Sequence, residues 1–355
     1  MKTVFDSATL GNNILKNSLV MAPMTRSRAN PDGTPGDLAA DYYSQRASLG
    51  LIVTEGVQPS DDGQGYIFTP GIYTQAHIDG WKKVTQAVHD KGGRIFFQLM
   101  HAGRMSHPDN TPHHRPGLAP SAIAPGTQMF TLNGMQDIPV PQAMSKVQIQ
   151  QAINEFKHAA RSAIEAGADG VEIHGANSYL IQQFFAPSAN TRADEFGGSI
   201  ENRARFAIEV AKAVSEEIGP EKTAIRLSPG TQLWGIDEGE EGPALYRYLV
   251  KELNKLDLVY LHIMHQGNEE LLQDIRNDWQ GTLILNRPGR VRENIGDDIH
   301  SGLADLEAYG QMVLANPDFV ARLQNNVPFN EADRSSFFGG TAQGYTDYPL
   351  ANLGG

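Results

Sequence analysis

Eight short apolar runs, mostly followed by amphipathic helical stretches, are the feature that most limits what this 355-residue chain can fold into. The runs are Ser18–Met21, Leu51–Thr54, Arg94–Leu99, Gly170–His174, Thr223–Leu227, Leu258–Ile263, Thr282–Leu285 and a weaker one near Asp305–Tyr309. Between them lie helical patterns such as Gln75–Lys91, Lys146–Ala166, Ile200–Ile218 and Pro243–Leu256, and Gly92, Gly167 and Gly219 stand where C-terminal caps favour glycine. Alternation of this kind dictates a parallel sheet, and eight units in one chain of this length predict a closed (β/α)8 TIM barrel of the α/β class. A doubly wound open sheet would favour a GxGxxG turn after the first strand, where the chain reads APMTRSRAN instead.

Two segments exceed a minimal barrel. Residues 1–17 read as a hairpin around Gly11–Asn12–Asn13, expected to close the bottom of the barrel. Residues 102–145, rich in Pro and Gly, form a long insertion after the third strand, on the face where barrel active sites sit. They are expected to cap the site within a single domain spanning 1–355.

Composition removes several functions. A net charge of −12 argues against nucleic acid or an anionic membrane, since phosphate binding needs clustered Lys and Arg. The chain has no cysteine, which excludes disulfides, thiolate nucleophiles, iron–sulfur ligation and cysteine-based zinc sites together. The start, MKTVFDSATLGNN, lacks the apolar stretch of a signal peptide and no later segment approaches a membrane span, so a cytoplasmic monomer or homodimer acting on small molecules is expected.

In a barrel, chemistry is read at the C-terminal strand ends. These are Thr25, Glu55–Gly56, Gln98, His101, His174, Asn177, Arg226, His262 and Asn286: mostly neutral hydrogen-bonding groups with one arginine. A hydrolytic metal site would need several His and carboxylates aimed together, and none is expected. A retaining glycosidase would need two carboxylates about 5 Å apart. Glu172 offers one, and the seventh strand, ending LILN, offers no partner. No strand carries a Schiff-base lysine. The set suits a flat polar ligand that does the chemistry itself.

EIHGANSYL, residues 172–180, is the sharpest local feature. His174 and Asn177, three apart where the fourth strand turns into its helix, can aim two neutral donors at one carbonyl oxygen and stabilise an enolate as it forms. Tyr179 can give up a proton while neutral at rest. His174 alone could equally cap a helix or be a satisfied core histidine, and Glu172 reads more readily as a buried structural partner than as an acid.

PMTRSRA (23–29), FFQLMHAGR (96–104), EIHGAN-Y (172–179), NTRADEFGGSIENR (190–203), IRLSP (225–229) and GYTDYP (344–349), in this order over nearly the whole chain, resemble the old yellow enzymes. That family of flavin ene-reductases includes N-ethylmaleimide, morphinone and nitrate-ester reductases. The resemblance implies FMN bound non-covalently across the barrel mouth, with NADPH or NADH as hydride donor. It implies ping-pong reduction of electrophilic alkenes such as α,β-unsaturated carbonyls, maleimides or nitro compounds. By that likeness Pro23, Thr25 and Gly56 would meet the isoalloxazine, Gln98 its pyrimidine ring and Arg226 its N1–C2=O side. His174 and Asn177 would bind the substrate carbonyl, Tyr179 would protonate Cα, and Tyr66 and Tyr345 would line the pocket. His101 and Arg104 would be scaffold. The same residues would permit work mainly on nitrate esters or quinones, or a flavin-binding barrel with poor turnover.

Two departures from the family pattern stand out. Met100 occupies a position where the family usually has Trp, which implies a roomier substrate pocket. After the seventh strand comes Asn286-Arg287-Pro288-Gly289, and after the eighth Gly310-Gln311 in place of Gly-Arg. Pro288 cannot donate an N–H. Arg287, or failing that Arg290, is therefore expected to supply the cation at the FMN phosphate, with Gly310 and Gln311 giving backbone donors.

Overall fold

In the computed structural model, which describes residues 2–352, the eight expected strands close into one parallel barrel. They are β1 (Leu19–Met21), β2 (Leu51–Val57), β3 (Ile95–Leu99), β4 (Gly170–Gly175), β5 (Thr223–Leu227), β6 (Tyr260–Met264), β7 (Thr282–Asn286) and β8 (Leu306–Tyr309). Sequence neighbours are spatial neighbours throughout, and β8 pairs back onto β1 through Glu307–Leu19 and Tyr309–Met21. Long helices over Gln75–Asp90, Lys146–Glu165, Ile200–Ile218 and Gly242–Asn254 pack their buried Val, Ile, Leu, Phe and Ala faces on the outer wall. The first two begin on capping boxes, Thr74 with His77 and Ser145 with Gln148. Among the described residues no helix is long and apolar enough to cross a membrane.

The bottom of the barrel is plugged as expected. Ala8–Leu10 and Asn13–Leu15 pair antiparallel around Gly11, whose φ of 54° suits the turn. Their Leu10 and Leu15 join Val20, Leu51, Val53, Phe96, Tyr260 and Leu306 in one buried cluster. At the other end, residues 102–145 carry an antiparallel hairpin, Gln128–Thr131 with Gly134–Asp137. Met105, Met129 and Ile138 of this insertion pack against Met100 and Tyr179, so the segment lies over the strand ends.

β2 outruns its sequence-based limit by three residues. The polar pair Thr54–Glu55 breaks the apolar run, yet both are buried, and the register against β3 shifts between Val53 and Gly56. Glu55 accepts from the Tyr43 hydroxyl at 3.2 Å and the Arg26 amide at 3.3 Å. Burial pushes its carboxyl up to about 7 despite these contacts. The folded protein therefore holds this proton more tightly than the unfolded chain does. The associated stability is complete below about pH 4.5 and is lost as pH rises through about 7. Glu55→Gln should remove that slope, worth on the order of a few kcal/mol across the window. Parallel urea titrations of both proteins at pH 5 and pH 8 test this, and equal pH slopes would refute it.

Candidate active site

The turn leaving β4 is where the barrel concentrates its reactive groups. Asn177 and Ser178 both adopt left-handed backbone, with φ of 56° and 69°, which is uncommon outside glycine and persists only where the surroundings enforce it. Here the Asn177 amide donates to Ser228 Oγ at 2.9 Å, the Ser178 amide to Gln182 Oε1 at 2.7 Å, and Ser178 Oγ to the Leu233 carbonyl at 2.7 Å. Tyr179 follows at the start of the helix Leu180–Phe185.

Arg226, on neighbouring β5, decides which way Asn177 faces. Its Nη1 donates to Asn177 Oδ1 at 2.8 Å and its Nη2 to Asn286 Oδ1 at 3.2 Å. A guanidinium can only donate, so the Asn177 carbonyl is taken and its amide nitrogen is left as the free end. Among the described residues that nitrogen's hydrogen-bond partner is the Met264 sulfur, at 3.3 Å, a weak acceptor that a ligand oxygen would displace.

His174 lies on β4 beside it. Burial, reinforced by the Arg226 charge, drives its imidazolium down to about 3, so the ring is neutral at ordinary pH. Its Nδ1 is buried without a hydrogen-bond partner among the described residues. The Tyr179 ring stands edge-on to it at 5.1 Å, and burial raises the Tyr179 phenol to about 12. Tyr66, arriving from the loop after β2, places its hydroxyl 3.0 Å from that of Tyr179. Two neutral donors and a protonated phenol therefore sit on one rim.

Beneath the rim runs a buried polar layer. Glu172 accepts from Gln98 Nε2, Tyr260 Oη and His262 Nδ1, each at 2.9 Å. These partners come from β3 and β6, so the carboxylate spans the barrel interior. Burial pushes the Glu172 carboxyl up, yet His262, Arg226 and the Tyr260 hydroxyl together bring it below its ordinary range. It acts as the structural partner expected from sequence, with no free face for acid chemistry.

A flat, polar cofactor fits this mouth. Among the described residues Arg226 Nε, like His174 Nδ1, is buried without a partner, and both are positions a ligand would satisfy. Gln98, fixed by Glu172 through one amide hydrogen, retains its carbonyl and second N–H. Pro23 and Thr25 lie half-buried just past β1. Gly56 is required by its neighbour, since a Cβ there would come within 2.6 Å of the Met100 sulfur. At the far side, half-buried Gly310 precedes the exposed Gln311, which opens the helix Gln311–Ala315.

Two expected residues turn out differently engaged. Tyr345 does not join the Tyr179 cluster. It is buried against Tyr42, with ring centroids 4.2 Å apart, and Arg26 and Arg28 cover it at 5.1 and 4.5 Å. These cation–π contacts hold the ring. Arg287 is already paired: Nη1 reaches Glu269 at 2.6 Å and Nε reaches Asp298 at 2.9 Å. Arg290 is likewise held by Asp298 at 2.7 Å and Glu307 at 3.2 Å. The partners of Arg287 lie 11 and 18 residues away and Glu307 lies 17 from Arg290, on other elements and beyond any helical i,i+4 spacing that would announce them.

One residue escaped sequence reasoning. Trp234, in the loop after β5, brings its ring to 6.0 Å from Tyr179 and packs on the same apolar cluster as Tyr66. The run QLWG has no motif to mark it; a lone tryptophan in a loop beside a strand end was the available clue.

Comparison with known proteins agrees with this geometry. The model of the NADH:flavin oxidoreductase / NADH oxidase family matches residues 3–330. A probable flavin mononucleotide-dependent alkene reductase of Leishmania infantum is 41% identical over 354 residues, covering 96% of this chain and 95% of that protein. 12-Oxophytodienoate reductase 2 of Arabidopsis thaliana is 39% identical, covering 96% and 93%. Among solved structures, morphinone reductase in complex with tetrahydroNAD superposes with a TM-score of 0.95 at 40% identity, over 99% of both chains. The old yellow enzyme homologue of Zymomonas mobilis gives 0.94 at 36% identity, over 98% of this chain and 100% of that one.

Proposed function

The chain belongs to the NADH:flavin oxidoreductase / NADH oxidase family, as an enzyme of the old yellow enzyme type, and from that membership we propose that it reduces activated C=C bonds. Its acceptors are compact α,β-unsaturated carbonyls, maleimides and nitroalkenes, and its electrons come from NADPH or NADH. Bound FMN would supply the hydride, taken from the nicotinamide and passed to the alkene.

The observation that carries the reading is the free amide of Asn177, held by Arg226 beside a neutral His174. Both groups donate to the acceptor's carbonyl oxygen, where negative charge grows as its β-carbon is reduced. Preorganised donors of this kind are worth about 10²–10³ each in rate. Tyr179 then delivers its proton to the α-carbon, and the nearby Tyr66 hydroxyl orients the phenol. Arg226 supplies positive charge to the cofactor face, and the Glu172 carboxylate beneath it supports that charge in the barrel interior. Gln98, Pro23, Thr25 and Gly56 complete that face.

Stopped-flow mixing of the yellow protein with NADPH or NADH, followed by N-ethylmaleimide or 2-cyclohexenone, tests the assignment. Bleaching and then recovery of the flavin absorbance is expected; a reduced protein that neither acceptor reoxidises would end the proposal.

For the phosphate end, backbone donors of Gly310 and Gln311 act with Arg287, whose exposed partner Glu269 competes with the phosphate. Glu269→Gln should tighten FMN binding about two- to fivefold, the scale of an exposed ion pair. Arg287→Ala should loosen it by tenfold or more, as loss of a charged hydrogen bond implies. Fluorescence titration of apoprotein with FMN measures both, and identical affinities in all three proteins would sink the assignment.

A further inference from the structure

We propose that Gln182, anchored by Glu238 of the loop after β5, is a positioning residue for the reaction, holding the β4 turn so that the Asn177 amide stays aimed at the acceptor's carbonyl oxygen. The inference rests on the alkene-reductase reading above and goes beyond it.

Gln182 lies in the helix Leu180–Phe185 with no exposed surface, so each polar atom of its amide needs a partner in the interior. It finds them on the turn. Its Oε1 accepts from the Ser178 amide at 2.7 Å and from the Ser228 hydroxyl at 3.3 Å. Ser228 Oγ in turn accepts from the Asn177 amide at 2.9 Å. One side-chain oxygen therefore supports both left-handed residues, Ser178 directly and Asn177 through a single hydroxyl.

The direction of each bond in this chain is fixed. A backbone amide can only donate and a backbone carbonyl can only accept. The Ser178 amide therefore sets the oxygen end of Gln182, and the Ser228 carbonyl, 3.2 Å from Nε2, sets the nitrogen end. Glu238 enforces the same choice. Its Oε1 accepts from Gln182 Nε2 at 2.8 Å and from the Tyr246 hydroxyl, and its Oε2 accepts from the Gly230 amide at 2.9 Å. Glu238 and Tyr246 are both buried, so this end of the chain is shielded from water and polarises the Gln182 amide toward the turn.

The remaining ties of Ser178 run to other segments. Its hydroxyl donates to the Leu233 carbonyl, and its own carbonyl accepts from Gln183 Nε2 at 2.8 Å. Arg104, buried in the insertion, holds the neighbouring loop by donating Nη2 to the Trp234 carbonyl and Nη1 to the Ile123 carbonyl, both at 3.1 Å. None of these bonds reaches the amides of Asn177 and Ser178, and Arg226 fixes the Asn177 side chain alone. Without Gln182, the Ser178 amide and the Ser228 hydroxyl lose their acceptor in a dry interior. The two strained residues then lose the restraint that opposes their relaxation. A shift of about 1 Å at Asn177 is enough to cost on the order of 10² in rate.

The test takes holoenzyme reduced with NADPH or NADH and mixes it with 2-cyclohexenone or with dissolved oxygen, which accepts electrons without presenting a carbonyl. Gln182→Met keeps the chain length and removes the amide. It should slow reoxidation by the enone about 10- to 100-fold and leave reoxidation by oxygen within about twofold of wild type. Glu238→Gln keeps an acceptor for Gln182 without the charge, and should slow the enone about three- to tenfold. Added to Gln182→Met it should do nothing more, since its effect passes through Gln182. Equal enone rates in wild type and Gln182→Met overturn the positioning role alone, and parallel losses with enone and oxygen overturn it in favour of general packing. Should Gln182→Met not accumulate as yellow protein, an enone-selective loss in Glu238→Gln decides, and its absence overturns the proposal. A double variant slower than Gln182→Met by the full Glu238→Gln factor overturns the anchoring by Glu238. Failure of wild type to pass electrons to the enone overturns the alkene reading, and the positioning role with it.

Discussion

Tyr179→Phe is expected to slow reoxidation of the reduced enzyme by 2-cyclohexenone about 10²–10⁴-fold, the range for loss of a positioned general acid. The phenol is buried, raised to about 12 and therefore fully protonated at working pH, and it stands edge-on to His174. Phenylalanine keeps that ring contact and removes only the proton and the hydroxyl contact with Tyr66. Reduction by NADPH needs no proton from this side chain and should persist. A quinone, which takes up electrons without forming a C–H bond, should still reoxidise the variant. Stopped-flow traces with enone and quinone in parallel separate the steps. Undiminished enone turnover would remove Tyr179 from the mechanism, and equal losses with both acceptors would point to damaged packing.

Glu172→Leu is expected to destabilise the fold by about 3–5 kcal/mol, the usual penalty for breaking a buried charged network by removing one member. Three donors converge on this carboxylate, and Arg226 lies close enough for its charge to act on it. A leucine would leave Gln98, Tyr260 and His262 with unmet donors in a dry interior. It would also leave Arg226 without its counter-charge, so FMN retention should fall as well. Because the folded carboxyl lies below its ordinary value, its stabilising contribution is present above about pH 4.5 and is lost as pH falls through the lowered value. Urea unfolding at neutral pH measures the effect; a midpoint and slope matching wild type would show that the layer contributes nothing.

The architecture was legible because period and punctuation agree. Each strand is an apolar run that a turn or helix interrupts, and the helices of Gln75–Asp90 and Lys146–Glu165 advertise their starts with Thr74 and Ser145. The β4 turn was legible too, because its donors are three residues apart and so fall within one local motif. What escaped reading depends on long-range partners. Glu55 looked like the end of a strand, and only the Tyr43 hydroxyl and Arg26 amide make it a buried member of β2. Arg287 looked free until Glu269 and Asp298 arrived from other elements. Tyr345 was expected to line the pocket, and its contacts with the two arginines after β1 join residues more than 300 apart, which no local pattern announces. Trp234 had no motif at all and gains its meaning from Arg104 and Ser178.

Arg104 fastens the capping segment and the β5 loop with the two arms of one guanidinium. Arg104 and Ile123 both belong to the 102–145 insertion, so one side chain ties the cover over the strand ends to the chain that leaves β5, and its loss would release both contacts together.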